Sequence, residues 1–535
     1  MIELKPNEGK ADEIVDMLRM QGIYPILYKS RYSNDINLSD TWAPEIMQAY
    51  PAATQFKDKA ISERESRDKV QAILSEGPTG NARVNEHLTL DAHQQVGREI
   101  ASVRERFAFY YDTRTGKTPM SLAIIHDDLV VNPTHRWLVL CPLILIKNAW
   151  MEDCEKFFPG IKVVNCHASS RATRLKRIHS DGQLFIMNVE AFASFKDEFE
   201  NFDGLILDES SALKSPKTDK AKSIVEFAHT VKRCYLLSGT PAPNGEWEYY
   251  MQLKCIDKYS VPVYSHFKNY FFDNVSYVKQ YEKLVLKPDK RDELLRHIKR
   301  YALYVDKEDV LDTPGRTFVD IKFDMPQGVM DVYKNMQKSL AAELSDNMIL
   351  ADSAAIALNK LNQISSGFIM DNDGAPVPIS DYRFEELLTL LARFPDEQVL
   401  IWCTYRYEFR RLKELLGDRC VQIYGATSAS QKDEAIRAFK SGEAQYLVAN
   451  PLSADKGLTL TNAHIAIYFS LSYSYETFKQ SIERIYGSRR IQPHHCMYYV
   501  MQARKSIDSK IYNTVLKGKE ALSYAVLDYL KGGAE

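Results

Sequence analysis

The chain has 535 residues with 45% hydrophobic content, enough for about three to four domains with cores of their own, and its net charge of -2 gives no global field for a polyanion, so any nucleic-acid contact must come from local basic patches. The longest nearly unbroken apolar run, residues 137–146, is about half of the ~20 residues a membrane span needs. Eight cysteines stand singly without a C-x-x-C pair, which argues against a zinc ribbon and a disulfide framework. The charged start of the sequence, lacking an apolar core and cleavage site, leads to the expectation of a cytoplasmic protein.

The first 85 residues contain helix-like stretches at 11–23 and 63–74 and read as a small accessory region that fits neither of the lobes that follow. From residue 86, short apolar runs alternate with amphipathic segments, as in parallel sheets covered on both faces. The runs RFAFYYD, WLVLCP, QLFIMNV, GLILDE and RCYLLSGT predict a doubly wound α/β lobe over 86–308, with a helical insertion at about 250–305. The runs EQVLIWCTY, RCVQIYG, AQYLVANP, HIAIYFS and CMYYVM predict a second lobe over 309–535, with a helical insertion at about 326–375. Between the two series, DKRDELLRHIKRYALYV reads as helical and RTFVDIKFDM as one strand-like segment. VYSHFKNYFF reads as helical core, and His494 and His495, without spaced partners, as a turn before a strand.

Chemistry concentrates in YYDTRTGKTPMSLAII, where a strand enters a loop of Thr113, Arg114, Thr115, Gly116, Lys117 and Thr118, and Pro119 opens a helix. Backbone N–H groups and the helix N-terminus would face a phosphate, Lys117 would reach β- and γ-phosphates, and Thr118 would offer its hydroxyl to Mg²⁺. Tyr111 stands where G-x-x-x-x-G-K-[ST] has its first glycine. Downstream, GLILDE ends an apolar strand in two acids. Mg²⁺ needs a carboxylate beside the phosphate loop, so Asp208 would hold the metal's water shell and Glu209 would orient and polarise the attacking water. Residues 161–180 carry Lys162, Arg171, Arg174, Lys176 and Arg177 with no acid among them.

These motifs resemble those of superfamily 2 helicases, and within them the SWI/SNF-like DNA translocases, from about Leu88 onward. LTLDAHQQVG resembles the adenine-reading motif with Gln94 in the glutamine position and His93 in the aromatic one, and VLCPLILIKNAW resembles motif Ia with Trp150 following it. LDESSALKSPK stands for D-E-A-H and a Lys-Asn pair, with Ser211 for the histidine and Lys214 and Ser215 for the pair. SGTPAPNG matches motif III at Ser238, Gly239, Thr240 and Pro241, and residues 307–312 match the segment leaving the first lobe. In the second lobe, VLIWCTY resembles motif IV and ANPLSADKGLTLTNA motif V, with Gly457 in register. QSIERIYGSRR resembles motif VI: Gln480 and Arg484, four apart, are expected on one helix face. Gly487 takes the place of the second arginine, leaving Arg489 or Arg490 to serve as a finger on the γ-phosphate. The closing segment resembles the family's at Ser506, Ile507 and Asp508. The family usually has glycine where Arg114 stands, and an arginine there calls for an ordinary backbone conformation.

The resemblance implies two tandem RecA-like P-loop lobes with helical insertions, ATP and Mg²⁺ as ligands, and movement along duplex DNA, in a compact motor of the kind phages encode and acting in the host cytoplasm. Ser238 and Thr240 would couple the nucleotide to motion. Arg171, Arg174, Lys176, Arg177, Lys214 and Lys217 would contact DNA phosphates without reading sequence. An RNA or single-strand helicase shares the same motifs. A DNA-binding protein with a decayed ATPase is suggested by Tyr111, Arg114, Ser211 and Gly487, and opposed by the joint presence of Lys117, Thr118, Asp208, Glu209 and Arg484.

Overall fold

The computed structural model describes residues 2–4, 11–20, 26–27, 36–49, 56–275, 282–346, 351–371, 373–454 and 458–518. Two compact units change over at residues 310–311 of the chain. The first is built on a seven-stranded sheet in the order Ala302–Val305, Arg106–Tyr111, Arg233–Leu237, Gly204–Asp208, Trp137–Cys141, Leu184–Asn188 and Val163–Asn165. Every pairing is parallel. The central strands are buried along their whole length, which is why they read as continuous apolar runs. A Cβ on Gly204 would lie 2.3 Å from Trp137 Cε3, so glycine is what lets the indole lie across the neighbouring strand.

One strand departs from the sequence reading. Ala302–Val305 lies inside the stretch expected to be helical, yet pairs with Arg106–Tyr111 at the sheet edge. Its residues alternate between buried and half-buried, so it lacks the all-apolar signature of its neighbours. By contrast, Arg316–Phe323, the segment that reads as strand-like, is the edge strand of the second sheet and pairs in parallel with Cys496–Ala503 over eight residues. Tyr264–Phe271 is the core helix its pattern suggests, with Phe267 and Phe271 buried against Tyr250 and Phe272.

The accessory region, expected to fit neither lobe, packs its described part on the first. The Arg300 guanidinium lies 3.6 Å from the Trp42 ring centroid and bonds Glu45 at 2.9 Å. Arg104 bonds Glu63 at 2.6 Å, on the helix Lys57–Glu76. Trp42 stacks on His297 at 5.7 Å. Burial pushes His297 down to about 3, so the ring stays neutral beside Arg300.

The second unit holds a six-stranded sheet in the order Arg316–Phe323, Cys496–Ala503, Ile465–Tyr468, Val399–Trp402, Tyr446–Ala449 and Cys420–Ile423, again all parallel. Its core contains a buried ion pair: Arg383 bonds Asp508 Oδ2 at 2.7 Å and donates to the carbonyls of Phe469, Ser365 and Met501. Asp508 also accepts from Ser365 Oγ and Ala503 N. The pair thus ties the helix Tyr382–Leu391 to the carboxyl end of the strand Cys496–Ala503. Among the described residues no helix is long and apolar enough to cross a membrane.

Removing one partner of such a pair leaves an uncompensated buried charge. Asp508→Ala is expected to destabilise the second unit by about 3–5 kcal/mol, measured by chemical denaturation followed with a probe in residues 311–518. A loss below about 1 kcal/mol would mean that Arg383 finds water or another acid.

Candidate active site

The strand Arg106–Tyr111 ends in a loop that closes on itself. Lys117 Nζ donates to the carbonyls of Tyr111 and Asp112 at 3.0 and 3.1 Å, and Thr115 Oγ1 donates to Asp112 O at 2.7 Å. Thr113 N–H turns back to Asp112 Oδ1 at 2.9 Å. Gly116, at φ 77°, forms the N-cap of the helix Lys117–Val131, whose first turn holds Thr118 and no acid. Gln94 Nε2 donates to Thr115 O at 3.1 Å and His93 Nε2 approaches the same oxygen at 2.7 Å, so the glutamine motif braces the loop from outside. A Cβ on Gly116 would meet Gln94 Nε2 at 1.9 Å, so this position requires glycine for space as well as for φ.

The loop fits an anion. It offers a helix N-terminus, no carboxylate in the first turn, and an ammonium bonded to neutral carbonyls that a phosphate would displace. Arg114 differs from expectation. Its φ is 64°, in the left-handed region, at the point where the loop reverses and Thr115 Oγ1 bonds back to Asp112 O. Among the described residues only Arg114, Asn201, Glu209 and Lys505 are non-glycines at positive φ, and two of the four belong to this site.

The second is Glu209, at φ 60°, ψ 61°. The strand Gly204–Asp208 reverses there, with Glu209 N–H donating to Asp208 Oδ1 at 3.0 Å. The other Asp208 oxygen accepts from Trp150 Nε1 at 3.0 Å in a buried contact, so the tryptophan after motif Ia holds the acid proposed for Mg²⁺. Ser238 Oγ accepts from Thr240 N at 3.1 Å. A Cβ on Gly239 would meet Thr113 N at 3.2 Å, which brings the SGTP loop against the phosphate loop. Sheet order gives the reason: Arg233–Leu237 runs between the phosphate-loop strand and the acidic strand. Asp112, Asp306 and Glu308 also bring carboxylate oxygens within 4.8 Å of one another where two strands end, a grouping hidden by sequence separation.

In the second unit the helix Tyr475–Ile482 stops before Arg484, so Gln480 and Arg484 do not share a helical face. Gln480 Nε2 lies 3.4 Å from Glu476 Oε1. The buried Arg484 donates to Leu458 O at 3.4 Å, and its carbonyl accepts from Leu460 N at 2.8 Å, so motifs V and VI are sewn together. Gly457 lies outside the described residues. Arg489 and Arg490 are both exposed, and Arg489 bonds Asp312 at 3.0 Å and Thr313 O at 3.1 Å.

The basic stretch also divides. On the helix Arg171–Ile178, Arg174 donates to Ala168 O at 2.6 Å and Arg177 to the carbonyls of Asn165 and His167. Lys176, Lys214 and Lys217 are exposed or half-exposed, as is Arg171, which bonds Ser194 O at 3.1 Å.

Two parallel-sheet lobes in tandem, the first with a Gly-Lys-Thr loop beside an Asp-Glu strand end, define the class of P-loop ATPase cores. Within it, the SNF2-related domain matches residues 88–367 and the helicase conserved C-terminal domain residues 382–487. The chain belongs to the SNF2-related family and carries its two-part ATPase core. It is 25% identical over 398 residues to protein p41 of Acyrthosiphon pisum secondary endosymbiont phage 1, covering 71% of this chain and 85% of that protein. It is 23% identical over 463 residues to the SWI/SNF-related matrix-associated actin-dependent regulator of chromatin subfamily A-like protein 1 of Xenopus laevis, covering 82% of this chain. It spans only 44% of that relative's length. The Sulfolobus solfataricus SWI2/SNF2 ATPase core in complex with dsDNA aligns with a TM-score of 0.38 at 19% identity, covering 84% of this chain and 96% of that one.

A left-handed non-glycine costs roughly 1 kcal/mol or more. Arg114→Gly is therefore expected to raise first-lobe stability by about 1 kcal/mol while any ATP turnover is kept, read by thermal melting and phosphate release. Loss of stability would mean that the loop does not hold Arg114 at positive φ; loss of turnover would make the guanidinium itself a participant.

Proposed function

We propose that this chain hydrolyses ATP and uses the cycle to move along duplex DNA through sequence-independent phosphate contacts. The observation that carries the reading is the meeting of Lys117, the Asp208 and Glu209 pair and the SGTP loop at the carboxyl ends of three adjacent parallel strands. Lys117 binds the β- and γ-phosphates in place of its own carbonyls. Thr118 and Asp208 would hold Mg²⁺, which neutralises phosphate charge. Glu209 orients the attacking water and takes its proton. Gln94, with the loop residues Thr113 and Thr115, sets the nucleotide's position.

From the second lobe, Arg484 and a finger arginine respond to the γ-phosphate. Arg489 and Arg490, both exposed, are the candidates for the finger, since the solvent-exposed pair of Arg489 with Asp312 is weak enough to yield to a phosphate. Lys176, Lys214 and Lys217, with Arg171, form the DNA track. Arg174 and Arg177 shape it, since their guanidiniums are bonded to carbonyls of their own lobe. The phage relative supports a phage-encoded motor acting in the host cytoplasm.

Phosphate release is to be followed without nucleic acid and with duplex DNA, single-stranded DNA or RNA. Duplex DNA is expected to stimulate wild-type turnover most, Lys117→Ala to abolish it with DNA binding kept, and Glu209→Gln to retain bound ATP unhydrolysed. Stimulation by RNA or single strands alone would replace the duplex reading, and no turnover under any condition would leave a binding protein. Charge removal at Lys176, Lys214 and Lys217 is expected to flatten the salt dependence of DNA affinity by about one unit of log–log slope for each DNA phosphate no longer neutralised. An unchanged slope would return these lysines to a solvated surface.

A further inference from the structure

Beneath the three loops runs the helix Tyr249–Ile256, and inside it stands a glutamine with no exposed surface, Gln252. An amide so deeply buried is tolerated only when its hydrogen-bonding capacity is met. Here it is met in full. Oε1 accepts from Ser210 Oγ at 2.7 Å and Tyr110 OH at 3.0 Å. Nε2 donates to Pro241 O at 2.7 Å and Glu248 O at 3.3 Å. The two carbonyls can only accept, so the amide has one possible orientation. Burial, with Tyr249 and Cys255 nearby, pushes the Tyr110 phenol well above its usual range, so it stays protonated and donates.

Each partner adjoins a part of the site. Ser210 follows Glu209, Pro241 follows Thr240, and Tyr110 precedes the carbonyl that holds Lys117. The helix cannot drift from this arrangement, because Arg106, at the other end of the phosphate-loop strand, caps its last carbonyls at Cys255 and Ile256 at 2.8 and 2.5 Å. Glu209 at φ 60° is strained, and such a residue keeps its conformation only where its surroundings over-determine it. The Gln252–Ser210 bond restrains the very next residue.

We propose that Gln252 is a positioning residue: it locks the acidic loop to the SGTP loop and the phosphate-loop strand, and so holds Glu209 in the orientation that addresses the attacking water. This rests on the reading of the chain as an ATPase. Gln252 touches no reacting atom, so its loss acts on the chemical step and not on phosphate affinity, which Lys117 and the helix N-terminus supply.

Gln252→Leu keeps the volume and removes the four bonds, Ser210→Ala removes only the arm to the acidic loop, and Gln252→Glu keeps the acceptor but donates to Pro241 O only when protonated. For Gln252→Leu, kcat is expected to fall about tenfold to a hundredfold with KM for ATP within about twofold, and Ser210→Ala is expected to show a smaller change of the same kind. Gln252→Glu is expected to regain activity relative to wild type as pH falls, because burial raises a carboxyl's pKa and the protonated form restores the donor. Independently of turnover, amide hydrogen exchange over residues 208–214 is expected to speed up in Gln252→Leu, or in Ser210→Ala should the former not fold.

Wild-type kcat in both Gln252→Leu and Ser210→Ala, an equal loss of kcat and nucleotide affinity, or unchanged exchange over 208–214 would each overturn the proposal. Wild-type protein without turnover would overturn the ATPase reading instead, and the exchange result would then decide the positioning role alone.

Discussion

Every loop of the candidate site leaves the carboxyl end of a parallel strand, and strand order decides which loops can meet. Neighbouring strands lie about 4.8 Å apart, so the phosphate loop and the Asp208–Glu209 turn, separated by one strand, are about 10 Å apart at their roots. The loop after Arg233–Leu237 fills that interval and touches the phosphate loop at Thr113. An antiparallel arrangement would send alternate loops to the opposite edge and divide the constellation. The parallel sheet also places the N-terminus of Lys117–Val131 at the same sheet edge as the acidic turn.

Holding these groups costs conformational energy that the surrounding packing offsets. Two turn residues, Arg114 and Glu209, sit in the left-handed region without being glycine, and each would relax if its neighbours were loose. They are not loose. Gln94 and His93 grip the phosphate loop from one side, and Trp150 holds Asp208 from the other. The same logic recurs in the second unit, where Arg383 and Asp508 fix the strand end that follows motif VI.

The sequence is most readable where one physical signal dominates. Five-residue apolar runs mark the central strands because both faces are covered, and Gly-Lys-Thr before a helix marks an anion loop. Readability fails where partners come from far along the chain. Ala302–Val305 is an edge strand whose mixed burial blurs the apolar run. Arg174 and Arg177 look like free charge in the sequence because backbone carbonyls as acceptors leave no trace in composition. Gln252, in YYMQLKCI, looks like one polar position on an apolar helix, and only the fold brings Tyr110, Ser210 and Pro241 to it. The backbone at Arg114 is illegible for a similar reason: side-chain identity gives no hint of the bonds that reverse the chain there.

Whether the Lys117 loop reads β- and γ-phosphate decides the chemistry of the whole site, and calorimetric titration with ATP, ADP and AMP in the presence of Mg²⁺ tests that directly. Charge-assisted contacts from Lys117 and the helix N-terminus are worth about 1.5–3 kcal/mol each. ATP and ADP are expected to bind, and AMP to bind at least about a hundredfold more weakly. Equal affinity for AMP and ADP would contradict the assignment of this loop as the phosphate site.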